Sequence, residues 1–313
     1  MLSADSADSE TGRLCRGDEK GSIMEHPLVV GVDGSNASLD AVDWGADAAA
    51  RYGIPLRIVY ASRWERYEGH LPDWSTERPS ERVMEETIVG VAAERASRRV
   101  PELDVTTYLA PDEPVEALLA EGQRAKAVVV GHRGRGRLTS LLLGSVGLGV
   151  AARAHCPVIV VRGRTGNIRG EACKVALGVS ERAAGTTAAT FALEEAALRH
   201  CTVEAVHAWR CAGTEVPEQC GAHGEYRAEH ERRAAELMDG VLNKPVAAFP
   251  QVTVEYRTVE GAPGTVLVAA SHAADLLVVG AHRRQGHAGL QLGLVNHTVL
   301  HHAQCPVAVV PEP

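Results

Sequence analysis

The feature that most constrains this chain is that it carries one pattern twice. The run Ala154-His155-Cys156-Pro157-Val158-Ile159-Val160-Val161 recurs as Ala303-Gln304-Cys305-Pro306-Val307-Ala308-Val309-Val310. Ala127-Val128-Val129-Val130-Gly131-His132-Arg133 resembles Leu276-Leu277-Val278-Val279-Gly280-Ala281-His282-Arg283. The spacing from Gly131 to Cys156 equals that from Gly280 to Cys305, so the halves align there without a gap. Nearer the starts, Val29-Val30-Gly31-Val32 matches Ala176-Leu177-Gly178-Val179. Self-similarity on this scale means one domain duplicated, from about His26 onward.

Each half reads β-α-β-α-β-α-β-α-β. Short Val/Ile/Leu runs fall at 28–32, 56–61, 103–109, 127–131 and 157–161. They are continuous rather than alternating, as strands buried on both faces of a parallel sheet require. Amphipathic segments lie between them at 36–52, 80–99, 112–123 and 145–154. The second half repeats the order, with strands near 173–179, 202–208, 252–258, 275–280 and 306–310. Its helices fall near 183–199, 224–243, 262–272 and 294–303. The expected class is α/β: two doubly wound, five-stranded parallel-sheet domains, three-layered and flavodoxin- or Rossmann-like. The predicted divisions are a disordered tail (1–25), domain 1 (26–163), a linker (164–171) and domain 2 (172–313). A linker this short implies packed rather than loosely tethered domains. Met24 stands just before the first strand and reads as a natural start.

Composition narrows the function. The 313 residues are 45% apolar and 23% charged with a formal net charge of -8, which offers no basic face for nucleic acid. No apolar stretch approaches the ~18 residues of a membrane span. The longest, Leu141 to Ala152, is broken by glycines and Ser145. The first twenty residues are polar, without a secretory h-region, so the expectation is a cytoplasmic protein without membrane association. The seven cysteines include no C-x-x-C pair, which points to reduced thiols rather than a zinc site.

The chemistry concentrates after the fourth strand of the first half. Val130-Gly131-His132-Arg133-Gly134, nine further residues, then Gly144-Ser145-Val146 give the spacing G-x2-G-x9-G-S. Gly131 ends a strand at the carboxyl edge of the sheet, where open α/β folds bind ligands. Without Cβ atoms, Gly131 and Gly134 let backbone amides approach a phosphate. Gly144 and Ser145 open the next helix, whose unpaired N–H groups and positive dipole end suit an anion. Arg133, Arg135 and Arg137 place three cations in the loop. No G-x-x-x-x-G-K-[ST] phosphate loop occurs, which excludes the P-loop signature, and the absence of a G-x-G-x-x-G after the first strand leaves a dinucleotide reading weak. The first strand ends Gly31-Val32-Asp33-Gly34-Ser35. Asp33 reads two ways: as acceptor for a ribose or an adenine amino group, or, with Ser35, as a cap of the following helix.

With these motifs the chain resembles the universal stress protein family in its tandem form. The resemblance rests on the strand end Gly31 to Ser35, the G-x2-G-x9-G-S loop and the paired Cys-Pro-Val terminal strands. It covers nearly everything after residue 26. It implies five-stranded parallel sheets with ATP at the carboxyl ends of the strands, with or without Mg2+. It also implies domain pairing through the last strand, a homodimer, and a regulatory or sensor role in stress with weak or no hydrolysis. Carried over, Gly31, Val32 and Asp33 line the adenosine pocket and Ala61 packs near the base. Val130 and Gly131 border the ribose, and Arg133, Gly134, Gly144, Ser145 and Val146 hold the phosphates.

The second half departs from the pattern. Ser180 stands for Asp33, Arg283 for Gly134 and Leu294 for Ser145, while Gly280 and Gly293 remain. One competent ATP site per chain is therefore expected. No catalytic constellation is legible, and the chain reads as no enzyme. A slow ATPase and a nucleotide-free dimerisation scaffold are the alternatives. His297, His301 and His302 on the last helix read as a polar face rather than a metal site, because no third ligand accompanies them.

Overall fold

The computed structural model describes residues 26–62, 78–134, 143–180, 186–210, 224–282 and 292–312. The expected tail and the reading of Met24 lie outside them, as do Arg135, Arg137 and Arg283.

The first half runs β1 (Leu28–Gly31), α1 (Asn36–Tyr52), β2 (Leu56–Ala61), α2 (Arg78–Arg99), β3 (Val105–Ala110), α3 (Pro114–Gly122), β4 (Ala127–Gly131), α4 (Ser145–Arg153) and β5 (Val158–Val161). After a short α5 (Thr165–Arg169), the second half runs β6 (Lys174–Val179), α6 (Thr186–Arg199), β7 (Thr202–Trp209) and α7 (Gly224–Ala248). It ends with β8 (Val254–Glu260), α8 (Pro263–Ala270), β9 (Leu276–His282), α9 (Leu294–His302) and β10 (Val307–Glu312). Both halves are the doubly wound α/β units expected from the repeat.

Why the strand runs are continuous is visible in β1. Val30 packs with α1 and α2 on one face, and Val29 packs with α3 and α4 on the other. Burial on both faces leaves no position for a polar residue. Helix α1 starts at Ser35, whose hydroxyl accepts the Ser38 N–H, and stops at Gly53 in the left-handed region.

The two domains share one sheet. The strand order is β3-β2-β1-β4-β5-β10-β9-β6-β7-β8. Every pairing is parallel except β5 with β10, where Val158 faces Val309 and Val160 faces Val307 in antiparallel register. The apolar edges of the two terminal strands thus satisfy each other within one chain. The edges of the joint sheet are β3 and β8, so the terminal strands present no open edge to a second copy.

Residues 164–171 join the two halves. They fold into α5, because the Asn167 amide donates to the carbonyls of Ala274 (2.7 Å) and His272 (3.2 Å) and so docks the segment on domain 2. The backbone N–H of Arg164 also donates to Gln304 at 2.9 Å. On the α1 side, the Tyr52 hydroxyl donates to Glu195 at 2.7 Å and Lys126 pairs with Glu194 at 2.7 Å. Glu195, 2% exposed, also accepts from Arg199 at 2.8 Å. No helix among the described residues is long and apolar enough to cross a membrane.

Candidate functional site

The parallel pairing of β1 with β4 sets Gly31 opposite Val130, which brings the two sequence motifs to one point of the carboxyl edge. Beyond β1 the chain turns at Gly34, and the Asp33 carboxylate folds over the turn. Its Oδ1 accepts from the Ser35 N–H at 3.0 Å and from the Ser35 hydroxyl at 2.6 Å. The same hydroxyl lies 3.3 Å from the Arg133 carbonyl oxygen, so Ser35 ties the β1 turn to the β4 loop. The capping reading of the turn is visible directly: Ser35 is the helix cap, and Asp33 orients that cap at the carboxyl edge of the sheet. Ser35 was weighed in the sequence only as a cap. The Asp-Gly-Ser spacing, which favours Asx turns, is the signal for its wider role.

The glycines are required by close approach. A Cβ at Gly131 would stand 2.5 Å from the Ala37 carbonyl oxygen, because the first turn of α1 presses on the end of β4. A Cβ at Gly134 would stand 2.5 Å from Asp33 Oδ2. Gly144 differs, since its nearest neighbours would be at 3.8 Å. Its N–H donates to the His132 carbonyl at 3.0 Å, which returns the chain from its excursion after Gly134 to the edge of β4. Gly144 is also the N-cap of α4 and, as glycine, brings no side-chain cap of its own.

The remaining expected residues fall around this centre. Val32 and Val130 are buried beneath it. Ala61, at the end of the neighbouring β2, and Val146 are half-buried against the same apolar cluster as Val130. Arg133 and Ser145 are exposed. All eleven expected residues lie at or beside this end of the sheet; Ser35 joins Asp33 to the Arg133 carbonyl, and Gly134 lies against the Asp33 carboxylate. A groove of about 320 Å³ lies elsewhere, lined by Pro157, Thr186, Phe191 and Glu194 at the domain junction.

Burial holds the His132 imidazole below its ordinary value; the bond to the Val161 carbonyl opposes the shift, and Arg133 and Arg162 reinforce it. His132 Nδ1 lies 3.2 Å from that carbonyl oxygen, so the neutral ring donates there. Arg162 is 8% exposed and pushed down to about 10, by burial first and then by Arg133.

The second half reproduces the scaffold but not the site. A Cβ at Gly31 would meet Leu118 at 2.9 Å, and one at Gly178 would meet Leu267 at 2.9 Å, which fixes the register between the halves. Ser180 therefore stands at the place of Asp33, and it is exposed. Leu294, at the place of Ser145, is 84% exposed. A Cβ at Gly280 would meet the Glu312 side chain at 3.2 Å instead of helix backbone. That carboxylate is 2% exposed and accepts the Ala188 N–H in the first turn of α6 at 2.9 Å. Arg283 lies outside the described residues.

One contact crosses the domains at the site. The Leu143 N–H, next to Gly144, donates to Nδ1 of His301 on α9 at 3.1 Å. Sequence reasoning could not find it, since 158 positions separate the two residues. His297 stacks on His301 with ring centres 6.0 Å apart, but no group of three metal-ligating side chains occurs among the described residues.

Comparison with known proteins bears on the family and the fold. The model of the universal stress protein family matches the chain twice, at residues 24–162 and 173–311. A universal stress protein of Mycobacterium tuberculosis is 34% identical over 294 residues, covering 91% of this chain and 97% of its own. The crystal structure of a universal stress protein from Archaeoglobus fulgidus DSM 4304 covers 92% of this chain and 98% of its own at a TM-score of 0.62 and 14% identity, a likeness of fold. A universal stress protein solved in complex with cAMP is 30% identical over 44% of this chain and 97% of its own, with a TM-score of 0.34.

Proposed function

The chain belongs to the universal stress protein family, and on that premise we propose that it binds one ATP, with or without Mg2+, at the β1–β4 edge of domain 1. Occupancy of that site makes the protein a cytoplasmic regulator or sensor in the stress response, not a catalyst. The observation that carries the reading is the meeting of Asp33, Ser35 and Arg133 beside Gly134, next to a helix start whose N-cap is Gly144.

The residues fit an adenine nucleotide. The Asp33 carboxylate supplies an acceptor for ribose or adenine donors. The first-turn amides of α4, the exposed Ser145 hydroxyl and Arg133 supply donors and positive charge for phosphates. Mg2+ would be carried largely by the phosphates, as its preference for retained water and few protein ligands requires. In domain 2 the carboxylate is lost with Ser180, the hydroxyl with Leu294, and the Glu312 carboxylate adds negative charge near Gly280. The first change removes the anchor for the nucleoside, and the other two disfavour its phosphates.

The test is to heat-denature the purified chain and quantify released nucleotide by chromatography. About one ATP per chain supports the reading. Two per chain would overturn the inactivity of domain 2, and none, together with no uptake of added ATP, would favour a nucleotide-free scaffold. A homodimer remains part of the proposal, formed by surfaces other than β5 and β10, and sedimentation with and without ATP tests it.

A further inference from the structure

The two domains grip each other unequally at the site. Aligned through Gly131 and Gly280, the counterpart of His301 in domain 1 is Ala152 and the counterpart of Leu143 in domain 2 is Leu292. His301 reaches the glycine loop of domain 1, but alanine has no acceptor to offer Leu292 in return. The reverse grip comes from Arg162, whose counterpart is Pro311. Its guanidinium donates to the carbonyls of Ala303, at 2.9 Å, and Leu300, and so holds the carboxyl end of α9 on which His301 sits. The pseudo-symmetry of the sheet is thus broken where the sites differ.

We infer that His301 is a positioning residue for the domain 1 site: domain 2 sets the end of the phosphate loop through the Leu143 N–H to His301 Nδ1 bond. This inference rests on the reading of domain 1 as the nucleotide site. Leu143 is buried, and the residues that follow it, Gly144 and Ser145, begin α4. Fixing the Leu143 amide therefore fixes the point from which the first-turn amides of α4 are presented. An anion there is bound best when those amides are already in place.

The bond works only with a neutral ring. A proton on Nδ1 sets donor against donor. The groups facing His301 among the described residues are His297 and His302 on its own helix and Arg162 at the end of β5, so the neighbours that carry charge are basic. Burial and these neighbours hold the imidazole below its ordinary value, which keeps the bond intact near neutral pH. As the pH falls through the folded-state value, the loop is released and the second domain loosens the site of the first.

The test measures ATP affinity of the full chain at pH about 7.5 and about 5.5, for wild type, His301→Asn and His301→Leu. Asparagine keeps an acceptor near the Nδ1 position and does not titrate; leucine fills the space without one. The expected results are an affinity about three- to tenfold weaker for His301→Leu at the higher pH, restored by His301→Asn. Wild type should also weaken on acidification more than His301→Asn, a comparison that cancels titration of the phosphates themselves. Equal affinities and equal pH profiles in all three proteins would overturn the inference. Hydrogen exchange at the Leu143 amide in nucleotide-free protein separates this outcome from failure of the site itself. If wild type binds no ATP, the nucleotide reading falls. Protection lost only in His301→Leu then supports the positioning role, and protection equal in all three overturns it.

Discussion

The Oδ2 atom of Asp33 lies 2.5 Å from the point where a Cβ on residue 134 would stand, so the carboxylate occupies space that only glycine leaves open. The two residues are a pair, one from the end of β1 and one from the loop after β4. The second half changes both partners in sequence, to Ser180 and Arg283.

From this pair follows a contrast between two glycines. Gly134→Ala must push the Asp33 carboxylate off its bonds to Ser35. It should destabilise the fold by about 1–3 kcal/mol, as overpacking does, and weaken ATP binding. Gly144→Ala meets nothing closer than 3.8 Å and has φ of -64°, which alanine adopts freely. It should unfold like wild type in urea, and any loss should appear only in ATP titration. Equal urea midpoints for all three proteins would show that the carboxylate moves aside without cost.

The domain junction offers a second test. Gly163 has φ +97°, and a Cβ there would collide with the backbone carbonyl of Gln304. Gly163→Ala combines a disfavoured backbone with a clash against main chain that cannot swing away. A loss of at least about 2 kcal/mol is expected, read by urea denaturation. Because β5 and β10 part when this crossing opens, loss of the single cooperative transition is the accompanying sign.

Glu195 makes the junction dependent on a buried charge. It is 2% exposed and holds the Tyr52 hydroxyl and the Arg199 guanidinium, with Arg199 also lying over the Trp44 ring. Glu195→Ala strands Arg199 and should cost about 3–5 kcal/mol. Tyr52→Phe removes one bond across the domains and should cost about 0.5–1.5 kcal/mol. Denaturation of both variants checks the order, and a Tyr52→Phe cost equal to that of Glu195→Ala would contradict it.

Acid should weaken the folded chain through His132. Its folded value lies below the ordinary one, about 6.5, mainly because it is buried. The unfolded state therefore takes up the proton first as the pH drops. The stability tied to the neutral ring is complete above about 6.5 and is lost as pH falls through the folded value. Unfolding free energies measured from pH about 7.5 to about 5 should decline less steeply in His132→Asn than in wild type.

Much of this was legible before any coordinates. The duplication fixed the unit, and the continuous runs such as Leu28-Val29-Val30 and Val128-Val129-Val130 fixed buried parallel strands, because a strand covered on both faces admits no alternation. The glycine spacing and Asp33 pointed to one candidate edge, since strand ends of a parallel sheet converge there. The short helix within residues 164–171 was not legible, because nothing local marks Asn167 as its anchor, with partner carbonyls about a hundred positions away.

The sequence by itself therefore determined the repeat and the layers, and it singled out the candidate edge and the half that departs from the motif, all of which follow from local pattern and from comparing one half with the other. Only the tertiary structure decided that the domains join antiparallel through β5 and β10 into one sheet. It alone showed that Asp33 and Gly134 share a space, that Glu312 folds back onto α6, and that His301 reaches Leu143. Such relationships depend on how distant segments are set against one another. A hydrogen bond between residues 158 positions apart leaves no periodicity in the chain; it exists only once the shared sheet has brought α9 beside the glycine loop.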